Sequence, residues 1–159
     1  DDRWLYLPAL DLVKRISASD KRTSFVGSHF YYEDISGRNT NLDNFTLHQT
    51  TAQHYVINAT PKAAQEVEFS RYQVTIDKKL MLPTKIEYFN KADILYRLVE
   101  TLKVKKIGDY NTVLSSRVTD VITGANTVVQ FRRVKYNNSI PSGVFTERSL
   151  RNPPTRWLK

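Results

Sequence analysis

The chain has 159 residues, with 24 Lys+Arg against 16 Asp+Glu and a formal net charge of +8 at pH 7. With 40% hydrophobic and 25% charged residues it has the composition of one folded domain, too apolar for a disordered chain. It lacks cysteine, which excludes a disulfide scaffold, a CxxC redox site, a thiolate nucleophile and a Cys-ligated zinc, and no apolar run approaches the ~20 residues of a membrane-spanning helix.

Helical periodicity is nowhere sustained for three turns, whereas period-two alternation recurs, so the chain reads as mainly β. Residues 3–7 form a short aromatic strand ended by Pro8. Residues 23–36 carry Phe25, Val26, Phe30, Tyr31, Tyr32 and Ile35 between the breaks at Gly27 and Gly37. They read as a loop with one or two helical turns. Residues 54–59 form a strand bounded by Thr60-Pro61, and 67–77 a long one rich in aromatic and β-branched residues. A strand over 85–89 begins after Pro83. The clearest alternation runs over 96–106, with Tyr96, Leu98, Leu102 and Val104 on one face and Arg97, Thr101, Lys103 and Lys105 on the other. Strands over 112–122 and 127–136 flank a turn in which Gly124 tolerates positive φ. Residues 85–136 are thus a meander of four antiparallel strands. Another short turn is expected within 142–150, and Asn152-Pro153-Pro154 stops regular structure. The broad apolar face of these strands needs a cover: a second sheet, barrel closure, the 23–36 segment or a ligand.

Few residues suggest chemistry. His48 and His54 would share a strand face but lie about 20 Å apart, too far to hold one metal. Glu33-Asp34 reads as a helix cap or a partner for a nearby arginine rather than an acid–base pair. Glu147 and Arg148 read as a structural ion pair near the end of the sheet. There is no nucleophile elbow, Walker loop or dinucleotide fingerprint. The densest basic groups are Lys14-Arg15, Lys21-Arg22, Lys103 with Lys105-Lys106, and Arg132-Arg133. They read as solvated faces of strands, and no single-strand-binding signature points to nucleic acid.

Several strings, taken in order, carry a resemblance: Trp4-Leu5-Tyr6-Leu7-Pro8-Ala9-Leu10, Val13-Lys14-Arg15-Ile16-Ser17, Ser24-Phe25-Val26-Gly27-Ser28 with Phe30, Tyr32, Glu33 and Asp34, Ala59-Thr60-Pro61-Lys62, Leu82-Pro83-Thr84-Lys85-Ile86-Glu87-Tyr88-Phe89, and Ile140-Pro141 with Phe145-Thr146-Glu147-Arg148-Ser149-Leu150. Together they resemble the outer-membrane lipoprotein-sorting proteins of the LolA/LolB-like superfamily, over residues 1–151, leaving 152–159 as a tail. The resemblance implies a curved antiparallel sheet forming an incomplete β-barrel, with short helical segments as a lid. It implies a non-enzymatic periplasmic carrier of Gram-negative bacteria, without a cofactor, that holds acyl chains of a lipid or lipoprotein in its concave apolar face. Its partners would be inner- or outer-membrane transport proteins. The lid is expected at Phe25, Val26, Phe30, Tyr31 and Ile35. Alternation supplies Tyr96, Leu98, Leu102 and Val104 as the cavity floor. The alternative is a transporter accessory module whose concave face is filled by its own side chains.

Family members carry a helix and several strands before the WLYLP string, which here begins at Trp4. The sheet edge beside residues 3–7 is therefore expected to pair with a segment outside this chain or with a second copy.

Overall fold

The computed structural model describes residues 3–17 and 19–157. Their contacts form two units: one from the described residues up to Lys21 and from Lys135 on, the other from Arg22 to Val134.

The first unit is built on a hairpin. β1 (Arg3–Leu7) pairs antiparallel with β2 (Leu12–Ile16) in a two-stranded sheet. Pro8 supplies the fixed φ that opens the 3₁₀ turn Pro8–Leu10, and Asp11, at φ 44°, closes it in the left-handed region. The Tyr6 hydroxyl donates to Asp11 at 3.1 Å. Helix α2 (Glu147–Arg151) packs on both strands and is capped by Thr146, whose hydroxyl accepts the Ser149 N–H at 3.3 Å. Arg151 of α2 pairs with Asp11, where an ion pair of Glu147 and Arg148 was expected.

The second unit is a seven-stranded antiparallel sheet in simple meander order. Its strands are β3 (Asp43–Thr50), β4 (His54–Pro61), β5 (Phe69–Asp77), β6 (Leu82–Asn90), β7 (Leu95–Ile107), β8 (Tyr110–Asp120) and β9 (Asn126–Gln130). The sheet is not closed into a barrel, since β3 and β9 each have one neighbour among the described residues. This is the mainly β, open half-barrel class expected from the sequence. The last strand is shorter than expected, ending at Gln130; Arg133, at φ 55°, leaves extended geometry three residues later. Gly124 takes φ 75° in the β8–β9 turn, as anticipated.

Residues 23–36 fold as a small hairpin and one helix. Ser24 and Tyr31 form an isolated antiparallel bridge. A turn at Val26-Gly27 closes it, with the Ser28 N–H donating to the Phe25 carbonyl at 3.0 Å. Helix α1 (Tyr32–Ser36) follows, and Gly37, at φ 80°, ends it.

The fully buried centre of this unit is small and aromatic. Phe69 and Ala59 are completely buried beside Tyr72 and Tyr88. Tyr72 and Tyr88 stack at 5.2 Å, while Phe69 meets both rings edge-on at 5.6 and 5.4 Å. Such pairs add roughly 0.5–1.5 kcal/mol each beyond the area they bury.

Candidate functional site

The register of the sheet determines which side chains share the concave face. Ile57 lies opposite Val74, Val74 opposite Ile86, and Ile86 opposite Val99. One residue-pair along, Ala59, Tyr72, Tyr88 and Arg97 form a parallel row. Residues directly opposite in a ladder share a face, so the first row is an apolar floor and the second an aromatic one that ends in a cation.

A cavity of about 480 Å³ stands on this floor. Ile57, Val74, Ile76, Ile86 and Val99 line its base, Phe30 and Ile35 close it from the α1 side, and Phe45, Val129 and Phe131 stand at its margins. Its volume falls within the ~300–1,000 Å³ usual for small-molecule sites. Phe45 and Phe131 remain exposed, so the apolar face is only partly covered.

Polar groups gather where α1 meets the sheet. Three arginines and four carboxylates interlock there. Arg22 donates to Glu33 at 3.0 Å and to Glu68. Arg38 donates to Glu33 at 3.0 Å and grips Asp43 through two bonds of 2.7 and 2.8 Å. Arg97 pairs with Asp34 and donates to the His29 carbonyl at 3.3 Å. The guanidinium planes also face rings: Arg97 lies 4.3 Å over Tyr31, and Arg22 lies 4.8 Å over Tyr31 and 5.1 Å over Tyr88. Desolvated cation–ring contacts of this kind contribute about 1–2 kcal/mol each.

Tyrosine hydroxyls complete the network, Tyr72 donating to Asp43 at 2.7 Å and Tyr96 to Glu68 at 2.8 Å. Burial, reinforced by these carboxylate acceptors, raises both phenols above their ordinary range, so they stay protonated donors. Burial also raises Tyr31 and Tyr88. Burial opposes charge on Glu68, but the Arg22 guanidinium more than reverses this and holds its carboxyl below the ordinary 4.5. The bonds and charges of the carboxylates likewise outweigh burial for Arg22 and Arg38, whose guanidinium groups are raised. Among the described residues no three His, Asp or Glu side chains are arranged to hold a metal ion.

The residues singled out from sequence fall in several places. Phe30 and Ile35 line the main cavity. Tyr31 and Tyr96 line a second cavity of about 140 Å³ with His29 and Arg97. Phe25 packs edge-on against Tyr32 at 5.3 Å, and Val26 is 64% exposed at the tip of its turn. Leu98, Leu102 and Val104 line neither cavity. Leu98 sits opposite Glu87 and Thr119, on the face away from Val99. Val104 lies opposite Val113, beyond two irregularities in the β7–β8 ladder.

The floor taken from alternation is therefore corrected to Val99 on β7. Sequence reasoning assigned Val99's face to solvent because Arg97 and the lysines share its parity. Arg97 is in fact buried against Asp34, so its charge does not mark a wet face. The floor residues Ile57, Val74, Ile76 and Ile86 carried a usable signal, since each belongs to an alternating apolar set on an expected strand.

An open, strongly extended antiparallel sheet with an apolar concave cavity and a short helix over one margin defines the LolA-type fold. A family model described as "Uncharacterized protein" matches residues 1–152, and the chain belongs to that family, a LolA-like one. A crystallised DUF1329 family protein from Desulfovibrio piger is 29% identical, with 94% of this chain and 64% of that one covered and a TM-score of 0.81. A domain from Vibrio parahaemolyticus, described as an outer membrane lipoprotein-sorting protein, is 27% identical, with 94% and 66% covered and a TM-score of 0.83. A LolA superfamily protein from Nitrosomonas europaea, 17% identical over 94% and 68%, shares the fold with a TM-score of 0.68. The chain thus spans about two thirds of the length of these structures. No protein of curated function matches it.

Proposed function

We propose that the protein is a non-enzymatic lipid carrier whose concave cavity holds the acyl chain of a lipid or lipoprotein. The observation that carries this reading is the cavity of about 480 Å³ floored by Ile57, Val74, Ile86 and Val99. Each methylene moved there from water contributes about 0.8 kcal/mol. A fourteen-carbon chain would gain on the order of 10 kcal/mol before ordering costs. Glu33, Asp34 and Arg38 line the cavity on its α1 side, engaged in ion pairs, while the floor stays apolar, which suits a hydrocarbon tail better than a polar substrate.

The segment from Thr23 to Ser36 acts as the lid. Phe30 and Ile35 press on the cargo, and the ion pairs of Asp34 and Glu33 hold α1 in place. In this reading residues 1–151 serve as one periplasmic carrier module, consistent with a family match that extends to residue 152. Membrane transport proteins would load and unload it. The likeness to a domain described as a lipoprotein-sorting protein supports this direction. An open interior of this size speaks against the alternative of a self-filled accessory module.

Native mass spectrometry of protein purified without detergent tests the reading. The expected result is an adduct with a lipid's mass that is lost on denaturation. A bare mass, unchanged after incubation with phospholipid or lipopeptide, overturns it.

A further inference from the structure

None of the residues of the β5–β6 turn (78–81) or the β7–β8 turn (108–109) lines the cavity. β7 pairs with β6 only as far as Glu100, while its pairing with β8 continues to Ile107. The β7–β8 hairpin therefore projects beyond its β6 neighbour. The Asn111 side-chain amide donates to the Leu80 carbonyl at 3.0 Å and ties this hairpin to the β5–β6 turn. Two neighbouring turns thus make one tip.

The tip combines exposed cations with exposed apolar groups. Lys103, Lys105 and Lys106 on β7 and Lys79 in the β5–β6 turn are all exposed, and none of the four forms an ion pair among the described residues. Met81 stands beside them, 67% exposed, at φ 53°, and Leu102 is 42% exposed. Nearby acids offset little of this charge. Two carboxylates stand against these four lysines, Asp77, which accepts the Lys79 and Leu80 N–H groups at 2.8 and 2.7 Å, and Asp109 in the β7–β8 turn, so the tip keeps a net positive charge.

We propose that this tip docks the protein on an anionic lipid surface. The lysines extend their charged ends to headgroup phosphates while Met81 enters the interfacial layer. Charge complementarity chooses the partner's sign, and shape chooses its kind. Two turns of only four and two residues, 78–81 and 108–109, offer little of the roughly 800 Å² that each side of a stable protein interface buries. A bilayer surface yields around such a tip. The inference stands independently of what the cavity holds, because none of these residues lines it.

Sedimentation with vesicles tests it, using phosphatidylcholine alone and phosphatidylcholine mixed with phosphatidylglycerol. The protein is expected to bind the anionic vesicles, to release at high salt and to ignore the neutral ones. Each lysine near an anionic surface accounts for roughly a fivefold change in affinity. Replacing Lys105→Gln and Lys106→Gln together should therefore weaken binding by about 25-fold. Replacing Arg132→Gln and Arg133→Gln, an equal change in net charge elsewhere, should leave it nearly unchanged. Met81→Ser should weaken binding without altering its salt dependence. Thermal melts establish that each variant is folded. Equal losses from the lysine and arginine pairs would reduce the effect to net charge and overturn the proposal. So would failure of the unmodified protein to bind anionic vesicles, or retention on an acidic polypeptide matrix without vesicle binding, which would assign the tip to a protein partner.

Discussion

Arg97 and Asp34 join the sheet to α1 through one carboxylate that serves two ends. The Arg97 guanidinium donates to Asp34, and the same Asp34 oxygen accepts the Tyr31 N–H at 2.6 Å. The arrangement is unequal: Arg97, its side chain 4% exposed, leaves Nε and Nη1 without a partner, whereas Asp34 keeps its backbone donor if the arginine is removed. Asp34→Ala is therefore expected to cost about 3–5 kcal/mol, as for a buried charge stripped of its counterion. Arg97→Met should cost less, because it also removes two desolvated donors. Urea unfolding of both variants measures this, and a greater loss in Arg97→Met would refute the asymmetry.

The two faces of β7 can be separated by neighbouring substitutions. Val99→Asn places a polar group on the cavity floor, whereas Leu98→Asn places it opposite Glu87 and Thr119. Uptake of a fluorescent fatty acid should fall at least tenfold in the first, given the ~2 kcal/mol or more that an unpaired buried amide costs. In the second it should stay near the unmodified level. Matching losses would return the floor to the Leu98 face.

Val26 occupies a position that suits another residue. It and Gly27 take φ of 50° and 74° in the turn that closes the 24–31 hairpin. Two consecutive positive φ values define a type I′ turn, which favours Asn or Gly at its first central position. A β-branched side chain there costs about 1–3 kcal/mol, and Val26 is too exposed to recover this by packing. Val26→Asn is expected to raise stability by about 1 kcal/mol. A lowered melting temperature would mean that the valine makes a contact worth more than its strain.

Acid should loosen the network through Glu68. Its carboxyl titrates below the ordinary 4.5 in the folded protein, so an unfolded chain takes up this proton first as pH falls. The stability it supplies is intact above that value and is lost as pH drops through the lower folded value. Melting temperatures from neutral to about pH 2 should fall less steeply below pH 4.5 in Glu68→Gln than in the unmodified protein. Parallel curves would place the acid sensitivity elsewhere.

The meander from β6 to β9 was legible because its strands alternate and its turns carry Gly or Asn-Lys signals. β3 was not, since Phe45 and Leu47 are its two apolar residues and both lie at an open edge. β2 was missed because Lys14 and Arg15 interrupt its apolar residues. Glu33 and Asp34 fit the cap and nearby-arginine reading, Glu33 pairing with Arg38 five positions on, but Asp34's partner was invisible: Arg97 is 63 positions away. Pairing at that distance follows from register, and register depends on bulges. The irregularities after Thr101 and Lys103 leave no local mark in the sequence, yet they decide which face Leu102 and Val104 occupy.

A similar irregularity in β3 has a consequence for solubility. Between Leu47 and Gln49 the ladder to β4 skips His48, so the outermost strand bends partway along its length. A flat edge carrying Phe45 and Leu47 would be a template on which further copies could stack strand upon strand. The extra residue breaks the even spacing of free N–H and C=O groups that such stacking needs. The inserted His48 thus works against strand-on-strand stacking along this edge of the described sheet.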